Sequence, residues 1–214
     1  MLKRSGISFS SGMMLMEYLF AIAISGVLFL CISRAYPQIM NTLIYSYQQY
    51  QLDIFLRERL LVLEAQLRRT GYCYDSCVNT LKPNGLAESS LKIGQYPLQE
   101  KNSCVIFAYD INSNGKWELP SSKESDYFGY RLKNGQLEQR RGVKDCASSG
   151  WQRFFESNEI EVTEFTLRSY TKPHLMKGMS LFYLSISLKF HLKQNHKVKS
   201  HYQNIIRLRN VTLL

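Results

Sequence analysis

Ser10–Ser33 reads SSGMMLMEYLFAIAISGVLFLCIS, and between Met13 and Ser33 its only charged residue is Glu17. At about 1.5 Å per residue a helix over this stretch reaches roughly 30 Å, the thickness of a bilayer's hydrocarbon core. One membrane span over about 13–33 is therefore expected. Lys3 and Arg4 precede it, which keeps the N-terminal end cytoplasmic and sends the rest of the chain outward; Arg34 on the far side opposes this weakly. The apolar core runs into CISRAYPQIM with no small-x-small site, so removal by an ordinary signal peptidase is not expected. Glu17 is the discordant residue. A carboxylate in a membrane helix costs on the order of 2.5–3.5 kcal/mol unless it is partnered, or it sits at the surface as a favourable charge in the first helical turn.

Past the span, Asn41–Gly71 continues in helical rhythm. Leu52, Leu56, Leu60, Leu63 and Leu67 fall on one stripe at spacings of three and four. The stripe is too short for a sustained heptad seam, so it is expected to pack on the chain's own sheet. Arg68 and Arg69 suit the negative end of the helix dipole and Gly71 is a plausible stop. Gly26 and Pro37 are expected kink points.

The remainder reads as one domain. At 214 residues, 45% hydrophobic and 13% aromatic, the chain has the composition of a folding protein. A formal net charge of +10 favours acidic lipid, nucleic acid or an acidic protein face as partners. Cys31 lies in the apolar run; Cys73, Cys77, Cys104 and Cys146 lie beyond it, an even set that suits two disulfides in an oxidising compartment, with three connectivities open.

Residues 72–103 are rich in Gly, Pro, Asn and Ser, the texture of a loop with short elements. CVIFAYDI and KWEL flank Asn114-Gly115, and YFGYRL and QLEQRR flank Asn134-Gly135, two hairpin signals. EIEVTEFTLRSY and YQNIIRLRN read as further strands, and in SLFYLSISLKFHL the residues Phe182, Leu184, Ile186, Leu188, Phe190 and Leu192 alternate to give one apolar face. The fold class is α+β: a long N-terminal transmembrane helix on an antiparallel sheet domain.

A short basic leader ending in Gly12, followed by an apolar run whose fifth residue is Glu17, resembles the signal of type IV pilins and type II secretion pseudopilins. Met13, Met14 and Met16 depart from that pattern but are apolar. The resemblance implies a 1–12 leader cut after Gly12 by a prepilin peptidase, N-methylation of Met13, and a helix over 13–70. It also implies a role in assembly for Glu17, facing the terminal amine of a neighbouring subunit. Residues 71–214 would then form a periplasmic domain. The domain's size, DINSNGKWE and KDCASSGWQRF are similar to the larger minor pilins, notably the prepilin peptidase-dependent B proteins and J-type pseudopilins. Implied partners are prepilin peptidase, other minor and major pilins, the inner-membrane pilus assembly machinery and membrane lipid. The implied role is a pilus-tip, assembly-initiating subunit; the alternatives are a type II secretion pseudopilin, a DNA-contacting tip subunit in DNA uptake, and an uncleaved single-pass anchor. Cys104–Cys146 is expected to join the first strand to the loop before Trp151, and Cys73–Cys77 to pin the turn after the helix.

Other motifs carry less. Asp110, Asn112, Asn114 and Glu118 partly fit a calcium loop, but Ser121 stands where a bidentate glutamate is wanted. A turn held by Asn and Gly explains the same letters. His191, His196 and His201 recur every five residues, a spacing unsuited to a zinc site, so no metal is expected. Lys189, Lys193, Lys197, Lys199, Arg207 and Arg209, with Arg140, Arg141 and Lys144, are a candidate stripe for DNA phosphates or a solvated edge that resists aggregation. No nucleophile–base pairing, phosphate loop or catalytic carboxylate arrangement is evident, and neither enzymatic activity nor a cofactor is expected.

Overall fold

A computed structural model describes residues 11–75, 77, 90–155, 159–173 and 180–211. Helix α1, Ser11–Arg68, runs unbroken through Gly26 and Pro37. The chain divides into two compact units, Met1–Gln48 and Gln49–Leu214. In the first, the described side chains from Leu15 to Tyr47 are exposed. The second contains α1 from Gln49 onward and every described strand.

Helix α1 stops where its leucine stripe ends. The Thr70 N–H and hydroxyl both bond to the Leu67 carbonyl, at 3.2 Å and 2.7 Å, closing the last turn. Gly71 follows at φ +81°, and a Cβ there would lie 2.4 Å from the Asn210 carbonyl oxygen. Only glycine fits both the left-handed conformation and the close approach.

Among the described residues eight strands follow: β1 Leu91–Gly94, β2 Cys104–Ala108, β3 Tyr127–Lys133, β4 Gln136–Arg141, β5 Gln152–Arg153, β6 Ile160–Pro173, β7 Ser180–Leu192 and β8 Lys199–Leu208. They form two antiparallel sheets, β1-β2-β3-β4-β5 and β6-β7-β8. The β3–β4 hairpin turns on Asn134 and Gly135, both at positive φ, which matches the twist of the flanking strands.

One core joins the leucine stripe to both sheets. Leu52, Leu56, Leu60, Leu63 and Leu67 are buried with Phe107, Tyr130 and Leu137 from the first sheet and Phe165, Leu184, Ile186 and Leu188 from the second. The five-stranded sheet is also covered on its other side, where Cys104, Ile106, Tyr127, Val143 and Cys146 cluster beside Trp117 and Trp151. Strand β2 is buried at every position, which is why it reads as a continuous apolar run rather than an alternating one.

The expected hairpin at Asn114-Gly115 is not formed. Strand β2 pairs with β3, and 116–119 is not a strand. Two buried carboxylates collect the backbone donors instead: Asp110 accepts from Asn114 and Gly115, and Asp126 from Ile111 and Glu118. With those N–H groups satisfied by side chains, 109–126 folds as a loop and leaves no strand ladder to form. The short β1 and β5 were not separately legible.

Candidate functional site

Glu17 sits on α1 among Leu15, Met16, Tyr18, Leu19 and Phe20, all exposed. The helix is apolar and long enough to cross a membrane, and none of its most apolar window is buried within the chain. A helix that is hydrophobic all round needs lipid or other protein around it. No ion pair to Glu17 forms among the described residues. Gly12 and Met13 fall in the first turn of α1, and their side chains lie outside the described residues, as do residues 1–10.

In the second unit the candidate residues assemble around the start of the 109–126 loop. Asp110 is 2% exposed. Its Oδ1 accepts from the Asn114 N–H at 3.1 Å; its Oδ2 accepts from the Gly115 N–H at 2.8 Å and the Tyr74 N–H at 3.2 Å. Asn112 Oδ1 accepts from the same Asn114 N–H, and the Asn114 amide donates to Glu118 Oε1 at 2.6 Å while its oxygen accepts from Lys116 N–H. The four residues thus come together, with Asp110 and Asn114 committed to holding the loop's own backbone. Beside them, burial and then the neighbouring Glu118 carboxyl push Asp126 up to about 6, whereas Glu118 is lowered, chiefly by its hydrogen bond with Asp126. Below about pH 6 Asp126 therefore holds a proton beside the ionised Glu118.

Cys73 is bonded to Cys77, and Cys104 to Cys146 with Cα atoms 6.2 Å apart. The first bridge lies at the turn after α1; the second ties β2 to the loop before Trp151. Asp110 and the sulfurs of Cys73 and Cys77 lie within 4.8 Å of one another, but bonded sulfurs offer no thiolate to a metal. Cys31 is a free, exposed thiol on α1.

Arg131 organises the far side of the first sheet, and nothing in the sequence singled it out. It is 3% exposed, paired across the β3–β4 ladder with Glu138 at 2.8 Å, and donates to the carbonyls of Cys146 and Ser148 at 2.6 and 3.1 Å. The Tyr96 and Trp151 rings lie at 4.6 and 4.5 Å from its guanidinium. A planar cation with five donors fits this setting where lysine would not.

The candidate basic residues divide between the sheets. Arg140 and Arg141 lie on β4, where Arg140 donates to Ser148 Oγ and Arg141 to the Ser125 carbonyl. Lys189, Lys199 and Arg207 lie on β7 and β8 of the other sheet. The His191 and His196 rings meet edge to face at 4.4 Å, while His201 faces Ser187.

Residues 45–208 match the family described as prepilin peptidase-dependent protein B. The chain belongs to that family. It is 33% identical over 154 residues, 72% of this chain and 75% of the relative, to prepilin peptidase-dependent protein B of Escherichia coli (strain K12). No solved structure matches the chain. Membership in the prepilin peptidase-dependent protein B family makes the chain pilin-related. The match starts at residue 45, so it rests on the folded unit and is separate from the Gly12–Glu17 motif.

Proposed function

We propose that this chain is a minor type IV pilin, inserted in the inner membrane, cleaved after Gly12, N-methylated at Met13 and built into the pilus tip, where it helps start assembly. The observation that carries this reading is Glu17: a carboxylate on an apolar helix, five residues beyond Gly12, with no cation paired to it among the described residues. The new amine of a neighbouring subunit supplies that cation, so a buried charge is tolerated only in the assembled filament. The anchor runs once through the membrane and the disulfide-bonded unit lies in the periplasm. Its partners are the prepilin peptidase, the other pilins, the assembly machinery and lipid. Its work is mechanical, without catalysis or a cofactor.

Intact mass of the mature protein, with and without prepilin peptidase, tests the reading. Loss of Met1–Gly12 plus one methyl group is expected; an uncut chain sinks it. A type II secretion pseudopilus makes the same demands on Gly12, Met13 and Glu17. Deletion of the gene separates the two apparatuses, since loss of surface pili is expected and loss of secretion with intact pili would reassign the chain.

A further inference from the structure

The outer face of the β6-β7-β8 sheet carries a feature that the roles proposed for Gly12, Met13 and Glu17 leave unexplained. Tyr170 on β6 and Tyr183 on β7 are register partners, half-buried and stacked, with centroids 5.6 Å apart and planes 17° from parallel. Arg207 on β8 is the register partner of Tyr183 on its other side. Lys172, two residues along β6, holds its ammonium 5.8 Å and 5.4 Å from the two ring centroids. Arg168 stands two residues the other way on the same face. Lys172, Arg168 and Arg207 are exposed, and none is ion-paired among the described residues.

The rest of the face shows that this end is distinctive. The neighbouring rows, Arg168–Ser185–Ile205 and Thr166–Ser187–Gln203, contain no carboxylate. The acids on this face lie further along, where Glu164 pairs with Lys189 and Glu161 with His191. One end is therefore neutralised internally, and the other presents three cations around a ring pair.

The geometry points to a binding surface for single-stranded nucleic acid, with unpaired bases stacking on Tyr170 and Tyr183 and backbone phosphates meeting Arg168, Lys172 and Arg207. Cations alone attract any polyanion. A stacked ring pair adds selectivity for a ligand with π faces, which unpaired bases have and lipid headgroups lack, and a duplex keeps its own base faces occupied. The inference is independent of cleavage at Gly12 and holds for a pilin, a pseudopilin or an uncleaved anchor.

The test uses the full chain in zwitterionic detergent and fluorescence anisotropy of a labelled 20-nucleotide oligo(dT). With three phosphate contacts, affinity should fall roughly 20-fold between 50 and 200 mM salt. Tyr183→Ala should weaken binding about tenfold and Tyr183→Phe by less than twofold, because the ring is what stacks. Arg168→Glu with Arg207→Glu alters only exposed positions and should weaken binding by more than tenfold. Equal affinity for a duplex of the same length, or no binding at all, overturns the proposal. So does binding indifferent to Tyr183→Ala, or uptake onto phosphatidylglycerol vesicles that outcompetes the oligonucleotide.

Discussion

The two halves of α1 have opposite relations to their surroundings. Between Leu15 and Tyr47 the described side chains are exposed whatever their character, with Leu28, Phe29 and Ile32 as open to the outside as Tyr36. From Leu52 to Leu67 every fourth or third residue is sealed in the core, while Arg57 and Glu58 stay outside. One half is apolar all round and must be solvated by lipid or other protein; the other is amphipathic and finds its partner in its own chain. Continuous helical hydrogen bonding does not distinguish them. The difference lies in whether the burial that stabilises the segment is supplied from within.

That contrast can be sharpened by perturbing the packed unit, where each loss should register in its unfolding without altering the exposed half of α1. Arg131→Ala should cost about 3–5 kcal/mol, because it strands Glu138 and two carbonyls in a nearly dry site; urea unfolding of the detergent-held chain measures it. Replacing Cys104 and Cys146 by serine should cost roughly 4 kcal/mol in the loop-entropy picture, since the bridge spans a sequence separation of 42. The same denaturation under non-reducing and reducing conditions reads this effect, and an unchanged midpoint would show the bridge to be dispensable.

The sharpest comparison is within the helix. Leu63→Ala removes a 0% exposed side chain and should destabilise the unit by about 3 kcal/mol, whereas Leu28→Ala should leave its unfolding within about 0.5 kcal/mol. Equal effects would break the contrast.

The smallest effect concerns pH. Asp126 keeps its proton up to about 6 in the folded chain against an ordinary value of 3.8. The folded state thus holds a proton that the unfolded chain has already lost between about pH 4 and 6. The stabilisation is full below pH 4 and lost as pH rises through 6; the lowered Glu118 acts in the opposite sense at lower pH. Glu118→Gln places a donor against Asp126 while its oxygen still accepts from Asn114. It should flatten the dependence and add about 1–2 kcal/mol at pH 7.5, measured as urea midpoints at pH 4.5 and 7.5.

Much of this fold was legible because its signals are periodic. A 3.6-residue leucine rhythm and the two-residue alternation of β7 each name a buried face without reference to any other segment. The Asn134-Gly135 turn was equally local, since positive φ at both positions suits those residues. Asn114-Gly115 misled for the same reason. Its letters are those of a hairpin, but Asp110 claims its backbone donors, while Asp126, at the far end of the loop, holds the flanking N–H groups of Ile111 and Glu118.

What the sequence by itself determined is therefore whatever short-range chemistry settles: an apolar helix with a single acid, an amphipathic continuation, strands with one wet face, and four cysteines apart from the span. The tertiary structure alone decided the division into two sheets, the burial of Arg131 between Tyr96 and Trp151, and the meeting of Tyr170, Tyr183 and Arg207 on one face. Each of these is a contact between residues far apart in the chain, where the energy depends on distance and dielectric in the folded state and leaves no periodic trace in the order of the letters.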